Sequence, residues 1–363
     1  MPSEKMLMRG SHVVGEAAVR AGCRYYFGYP ITPQNELPEY LSARLPEVGG
    51  AFIQGESEIA SVNMVIGASV AGGRTMTSSS GPGISLKQEG ISYLAGMELP
   101  AVIVNMMRGG PGLGNIAPSQ ADYFQATKGG GHGDYRLLVL APAGCQELAD
   151  LTFEAFDLAD RYRMPVMLLG DGLMGQMMEP VLFPDPIDPA SLPKKDYILD
   201  GCAGRKPRRA FSMMLDVNVL AAHCEKLRLK YEDLAKNELR WENYRTEDAD
   251  TLVVAYGTSS RIAKGAVNRL RKEGHKVGLF RPISLFPYPK QALRDLAGKV
   301  NRVCVFELST GQMVEDAMLS VGSRAEIWFH GIPGGPIPTP ADIADYILSA
   351  INGDGRIGRR VEI

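Results

Sequence analysis

The chain has 363 residues, 45% apolar and 22% charged, with a net charge of −2. That length accommodates two domains and a sizeable core, and the balance is that of an ordinary globular protein. The near-neutral charge excludes a field for nucleic acid or an anionic membrane surface, and no apolar run approaches the length of a membrane span.

The start, Met1-Pro-Ser-Glu-Lys5, has no signal-peptide pattern, so a cytoplasmic protein is expected. The five cysteines (Cys23, Cys145, Cys202, Cys224 and Cys304) form no C-x-x-C pair. An iron–sulfur cluster or structural zinc held by this chain alone is therefore not expected. Odd in number and scattered, they read as reduced, mostly buried thiols. The histidines (His12, His132, His223, His275 and His330) show no H-x-x-x-H spacing, so no metal site is expected either.

In chain order, Cys23 to Gly28 reads as a strand, and Asn35 can cap a helix running to Arg44, with Pro38 tolerated in its first turn. Gly50 to Gln54 reads as a strand and Ser57 to Ala71 as a helix. Arg74 to Ser78 is a third strand, followed by the loop Ser79-Ser-Gly-Pro-Gly83. Further strands are expected at Ala101 to Met107, Leu137 to Leu140 and Val166 to Leu169, with a helix from Gln146 to Asp160. Strands separated by helices argue for a parallel sheet covered on both faces.

Residues 184–193 are Pro- and Asp-rich and read as a linker. Arg205-Lys-Pro-Arg-Arg209 is a basic cluster, either a solvated connector or a patch for a phosphate-bearing ligand or partner. Asn218 to Tyr244 reads as one long helix whose seam is Leu220, Cys224, Leu227, Tyr231, Leu234 and Trp241. A second alternation follows: strand Thr251 to Tyr256, helix Ser259 to Lys272, strand Lys276 to Phe280, helix Gln291 to Ala297. Strand Arg302 to Phe306, helix Gln312 to Val321, strand Ile327 to His330 and helix Pro340 to Ile351 complete a smaller α/β domain. The expected division is 1–185, a linker and long helix over 186–247, and 248–363.

Three stretches put a polar side chain just after a strand, where α/β sheets open toward ligands. In Tyr29-Pro-Ile-Thr-Pro33 the prolines stiffen the loop and preset the Thr32 hydroxyl; a plain connector fits the pentapeptide equally well. Glu58 lies in the first turn of a helix, at the favourable end of its dipole, among the apolar or small Ile59, Ala60, Val62 and Met64. A carboxylate there can share a proton with a ring nitrogen; a helix-terminal charge without further role is the alternative, and Glu56 competes. Arg108 opens Gly109-Gly-Pro-Gly-Leu-Gly114, where glycines admit a ligand and the guanidinium can grip a carboxylate bidentately. The same segment also fits a surface turn with a solvated arginine. Its glycines lack G-x-G-x-x-G spacing, so a nicotinamide site is not expected. Lys128-Gly-Gly-Gly-His132-Gly-Asp134 is a mobile surface loop or a gate. Gly170-Asp-Gly172 resembles the start of a magnesium-diphosphate motif but lacks the downstream Asn-Asn pair.

Read together, the chain resembles the alpha subunits of 2-oxoacid:ferredoxin oxidoreductases, most closely those acting on 2-oxoisovalerate, with 2-oxoglutarate enzymes as near relatives. The resemblance runs through Gly28-Tyr-Pro-Ile-Thr-Pro-Gln-Asn35, Thr77-Ser-Ser-Ser-Gly-Pro-Gly-Ile-Ser85, Arg108-Gly-Gly-Pro-Gly-Leu-Gly114 and Arg281-Pro-Ile-Ser-Leu-Phe-Pro287. It implies an α/β fold: a three-layer, parallel-sheet pyrimidine-binding domain of the thiamine diphosphate enzymes, then a smaller transketolase C-terminal-like domain. It implies thiamine diphosphate shared with a beta subunit that supplies Mg2+, the diphosphate site and a [4Fe–4S] cluster. Ferredoxin-like delta and, in some members, gamma subunits, ferredoxin as acceptor, coenzyme A as co-substrate and a dimer of heteromers are implied as well. Carried onto this sequence, Glu58 would hold the aminopyrimidine N1′, with Tyr29, Pro30, Ser80 and Gly81 around the cofactor. Thr32, Arg108 and Gly109 would hold the 2-oxoacid. A non-catalytic scaffold and a self-sufficient transketolase-type enzyme are the other readings. Met106 and Met107 lean toward an apolar pocket and a branched substrate.

Overall fold

The computed structural model describes residues 5–362. Its elements, in order, begin with β1 (Met6–Arg9), α1 (Gly10–Arg20), β2 (Tyr25–Gly28), α2 (Glu36–Glu47), β3 (Ala51–Gln54), α3 (Glu58–Val70), β4 (Thr75–Ser79) and α4 (Pro82–Gly96). Then come β5 (Ala101–Met107), α5 (Tyr123–Thr127), β6 (Leu138–Leu140), α6 (Cys145–Tyr162), β7 (Pro165–Asp171), α7 (Gly172–Gln176), β8 (Met178–Val181), α8 (Val217–Asn237) and β9 (Trp241–Tyr244). The last third holds β10 (Thr251–Val254), α9 (Gly257–Lys272), β11 (Val277–Pro282), β12 (Ser284–Phe286), α10 (Lys290–Ala297), β13 (Arg302–Glu307), α11 (Met313–Val321), β14 (Glu326–Gly331), α12 (Pro340–Asn352) and β15 (Arg359–Val361). No helix among the described residues is long and apolar enough to cross a membrane.

The first sheet has seven strands in the order β12-β6-β7-β5-β4-β2-β3. All its pairs are parallel except β12 with β6. Side chains alternate across it, as strand geometry requires. Val102, Val104 and Met106 enter a core under α1, α2 and α6, whereas Ile103 and Met107 face α3 and α4. Both methionines are thus packing residues, not the lining of a substrate pocket. The second sheet runs β15-β14-β13-β10-β11-β9. Its central pairs are parallel and its edge strands β9 and β15 antiparallel. One apolar core joins the two sheets, from Phe27 and Ile103 through Tyr123 and Tyr256 to Phe280 and Phe329.

The structure departs from the sequence reading at several places. The long helix stops at Asn237, and Trp241 lies on edge strand β9. Only Leu227 and Leu234 of the expected seam are fully buried. Helices α1 and α4, absent from the sequence pattern, are present and well buried. The Asn35 side chain does not cap α2; its amide points back to the Thr32 hydroxyl at 3.5 Å. The 184–193 stretch is a strap tied back to the end of α1 by Ile187 N–H to the Arg20 carbonyl, at 2.7 Å.

Candidate active site

The chain leaves β2 for the edge strand β3 and then crosses back to β4 on the other side of β2. This reversal creates a switch point at the carboxyl ends of β2 and β4, the usual ligand position in open α/β sheets. The loops after four adjacent strands meet there: 29–35, 55–57, 80–81 and 108–118.

Ser57 caps α3, its hydroxyl accepting from the Ala60 N–H at 3.1 Å, which fixes the first turn. Glu58 follows and is 6% exposed, while Glu56 is exposed. The two carboxylates that the sequence left in competition are separated by burial. A Cβ placed on Gly83 would stand 2.7 Å from Glu58 Oε1 and 2.1 Å from Ser79 Oγ. Gly83 is therefore packed directly against one carboxylate oxygen and one hydroxyl, with no room for a side chain. The buried Ser79 and Ser80 hydroxyls have no hydrogen-bond partner.

Arg108 ends β5 and is 8% exposed. Its Nη1 donates to the Thr32 carbonyl at 2.9 Å and its Nη2 to the Leu113 carbonyl at 3.0 Å. Nε is buried without a partner. Three of the five guanidinium N–H bonds remain, enough for a two-point grip on a carboxylate. The loop beyond is braced by Gly109 N–H to Ala117 O and Asn115 N–H to Gly109 O, at 3.0 and 2.9 Å. Gly114 has φ +57°, and a Cβ there would fall 1.7 Å from the Gly109 carbonyl oxygen, so only glycine closes this turn. Gly81, with φ +42°, lies against the Arg108 stem, where a Cβ would reach Cγ at 3.5 Å. Asp122 stands nearby, accepting from Asn105 Nδ2 at 3.0 Å. Burial pushes its carboxyl up, against the pull of Asn105, the Gly81 N–H and the Arg108 charge.

Thr32, Gly81 and Arg108 are thus brought together, and Glu58 faces the same α4 N-terminus through Gly83. The Gly109 backbone is spent inside its own loop, and Tyr29 and Pro30 lie exposed at the rim. His132 is exposed, on a loop pinned by Gly131 N–H to the Tyr135 hydroxyl at 2.9 Å. That hydroxyl donates in turn to Gln88 at 3.1 Å. Arg205 and Arg208 turn inward to Asp200 and the Ile198 carbonyl. Asp171 is a buried cap on α7, accepting from the Leu173 and Met174 N–H groups. Among the described residues no three His, Cys, Asp or Glu side chains are grouped to hold a metal ion.

Sequence reasoning missed Ser79, Gly83, Lys87 and Asp122. The i, i+7 spacing of Gly83 and Gly90, one helix face, is the signal that could have found Gly83.

A model of the pyruvate flavodoxin/ferredoxin oxidoreductase family, thiamine diphosphate-binding, matches residues 16–215. One of pyruvate:ferredoxin oxidoreductase core domain II matches residues 249–343. A ketoisovalerate oxidoreductase subunit VorB of Methanothermobacter thermautotrophicus is 51% identical over 88% of this chain and 90% of its own. The structure of a 2-oxoglutarate:ferredoxin oxidoreductase from Magnetococcus marinus, with 2-oxoglutarate, coenzyme A and succinyl-CoA bound, superimposes with a TM-score of 0.84 at 26% identity. The match covers 96% of this chain, which spans 66% of that one. A split-gene transketolase shares the fold alone, with a TM-score of 0.60 at 15% identity over 95% of this chain and 98% of that one. With its site built at the switch point of a sheet of this type, the chain belongs to the pyruvate flavodoxin/ferredoxin oxidoreductase family, as a subunit of a 2-oxoacid:ferredoxin oxidoreductase.

Proposed function

We propose that this is the alpha subunit of a thiamine diphosphate-dependent, CoA-acylating oxidoreductase. It would convert 2-oxoisovalerate or another branched-chain 2-oxoacid to acyl-CoA, carbon dioxide and reduced ferredoxin. The observation that carries this reading is a set of buried groups at the turn from β4 into α4: Ser79 Oγ, Ser80 Oγ and Arg108 Nε without partners, beside Glu58 Oε1, which lies against Gly83. Buried polar atoms normally pair, so such a set fits a ligand that completes it.

Glu58 would hold a proton at N1′ of the aminopyrimidine, with Ser80 and Gly81 against the ring and Tyr29 and Pro30 at the rim. Arg108 and Thr32 would fix the carboxylate that leaves as carbon dioxide. When bound, thiamine diphosphate supplies the nucleophilic carbon and the electron sink. The protein side of the chemistry is orientation and a fixed charge pattern.

A cavity of about 470 Å³ adjoins Thr32, lined in part by Pro33, Ile116, Pro118 and Leu173. Its one charged lining residue is Glu36. Glu36 is tied to Arg9 at 3.5 Å and accepts from Gln176 at 2.8 Å, and no cation is among the lining residues to receive a second substrate carboxylate, which supports 2-oxoisovalerate over 2-oxoglutarate.

In this reading a beta subunit brings Mg2+, the diphosphate site and a [4Fe–4S] cluster. Ferredoxin-like delta and, as in some members, gamma subunits pass electrons to ferredoxin, in a dimer of heteromers in the cytoplasm. The chain divides at 1–185, 186–247 and 248–363, with β12 reaching back into the first sheet. The test is a panel of keto acids assayed on the native assembly with coenzyme A and a viologen dye. Highest kcat/KM with 2-oxoisovalerate is expected. Highest kcat/KM with 2-oxoglutarate overturns the branched-chain reading, and no turnover with any keto acid leaves the scaffold reading.

A further inference from the structure

Helix α4 turns residues 83, 87 and 90 toward α3, the i, i+4, i+7 positions of one face. Two are glycines that let the helices close: a Cβ on Gly90 would meet Val62 Cγ1 at 2.4 Å. The third is Lys87, which is 0% exposed. Its Nζ donates to the Thr77 hydroxyl at 3.0 Å, and its other contact is the Glu58 carbonyl at 3.5 Å. The Thr77 hydroxyl passes the chain on to the Phe27 carbonyl at 2.6 Å. Glu58 is thus linked through Lys87 to two strands of the sheet.

An ammonium so placed is costly for folding alone, because an apolar side chain of the same length would fill the space without desolvating a charge. Burial drives Lys87 down to about 8, and the Glu58 charge is what works against that. Glu58 is the charge that α3 turns toward it. From the β4–β5 side, Arg108 and Asp122 stand beyond Gly81 and face each other.

We propose that Lys87 is the positioning residue for Glu58, anchoring the first turn of α3 and supplying the countercharge for the carboxylate that meets the cofactor ring. The inference rests on the assignment of Glu58 to the aminopyrimidine and names the group that holds it in place.

The test uses the reconstituted complex with Lys87→Met, Lys87→Gln, Glu58→Gln and the Lys87→Met/Glu58→Gln double variant. Thiamine diphosphate affinity, the pH profile of kcat and the melting temperature are measured for each. Lys87→Met is expected to lower kcat roughly tenfold to a hundredfold and to move the acid limb of the profile up by about one pH unit. Lys87→Gln, which keeps a donor for Thr77 but no charge, should move the limb as far. In the Glu58→Gln background the same change should cost less than about twofold in cofactor affinity and lower the melting temperature less than it does alone. An unmoved acid limb in both Lys87 single variants, or additive losses in the double variant, overturns the proposal. Glu58→Gln with wild-type turnover and cofactor affinity would instead remove the Glu58 assignment, while the melting-temperature cycle would still report the coupling.

Discussion

The guanidinium of Arg108 donates to the main-chain carbonyl of Thr32 at 2.9 Å, across 76 residues of sequence. That one bond ties the end of β5 to the loop after β2. The two residues proposed to hold the substrate carboxylate are therefore fastened to each other by the protein itself, which lowers the ordering cost of binding.

Arg108→Ala should raise KM for the 2-oxoacid by roughly 10- to 100-fold, the worth of a charge-assisted hydrogen-bond pair. Arg108→Lys should recover only part of this, because an ammonium lacks the planar fork. Initial-rate kinetics over a substrate series decide it; an unchanged KM in Arg108→Ala removes the arginine from the substrate site.

Glu58→Gln should lower kcat by at least about 100-fold, the usual share of a positioned proton donor or acceptor. The side chain keeps its volume, so the complex should elute unchanged on size exclusion. Wild-type rates in an intact complex would show that the buried carboxylate serves only α3.

Gly83→Ala puts a methyl group 2.1 Å from Ser79 Oγ and 2.7 Å from Glu58 Oε1. Thiamine diphosphate affinity, read by titration calorimetry, should fall at least about tenfold because the methyl group pushes the Ser79 and Glu58 side chains from their places. Gly67→Ala, in mid-α3 with nothing within 4 Å of its Cβ, is the control. It should stabilise the protein by about 0.5–1 kcal/mol on helix propensity. Equal effects of the two substitutions would mean that the packing of Glu58 and Ser79 on Gly83 does not shape the cofactor site.

Burial alone would raise the Glu98 carboxyl, but Lys226 and Lys230 of α8 outweigh it and hold the group down at about 2, below its ordinary 4.5. A depressed folded-state value stabilises the native state above pH 4.5, and that contribution is lost as pH falls from there toward 2. With Lys226 well exposed, the contribution is roughly 2 kcal/mol after solvent screening. Urea midpoints between pH 3 and 6 should drop for the wild type and flatten for Glu98→Gln. Identical slopes would mean that α8 is not held by this pair.

The apolar strands of both sheets were legible from the sequence, because buried parallel strands are nearly continuous Val, Ile and Leu runs. Helices α1, α4, α5 and α7 were not, and for the two long ones, α1 and α4, the reason is common. Helix α1 contains Gly15, where a Cβ would strike the Tyr40 ring at 2.6 Å, and α4 contains Gly83 and Gly90 against Glu58 and Val62. Glycine lowers helix propensity, so the pattern reads as loop, yet it is what lets the neighbouring helix or ligand come close. Trp241 extended the apolar seam of α8 in sequence, although the helix had already ended at Asn237. Arg108, Glu58 and Thr32 could be named from their places after strands. Lys87 could not, because a lysine four residues from a glycine looks like any solvated surface charge. Its burial follows from the α3–α4 approach, which is tertiary.

Strand β12, from the C-terminal third, closes the edge of the first sheet on β6 through the Ser284–Leu140 and Phe286–Val139 pairs. A fragment ending before residue 284 would present Val139 and Leu140 as a bare, apolar hydrogen-bonding rim, the kind of template that recruits other chains into aggregates. The two halves are consequently a poor choice for separate expression. During synthesis, the N-terminal portion must wait on the ribosome for a strand translated more than a hundred residues later.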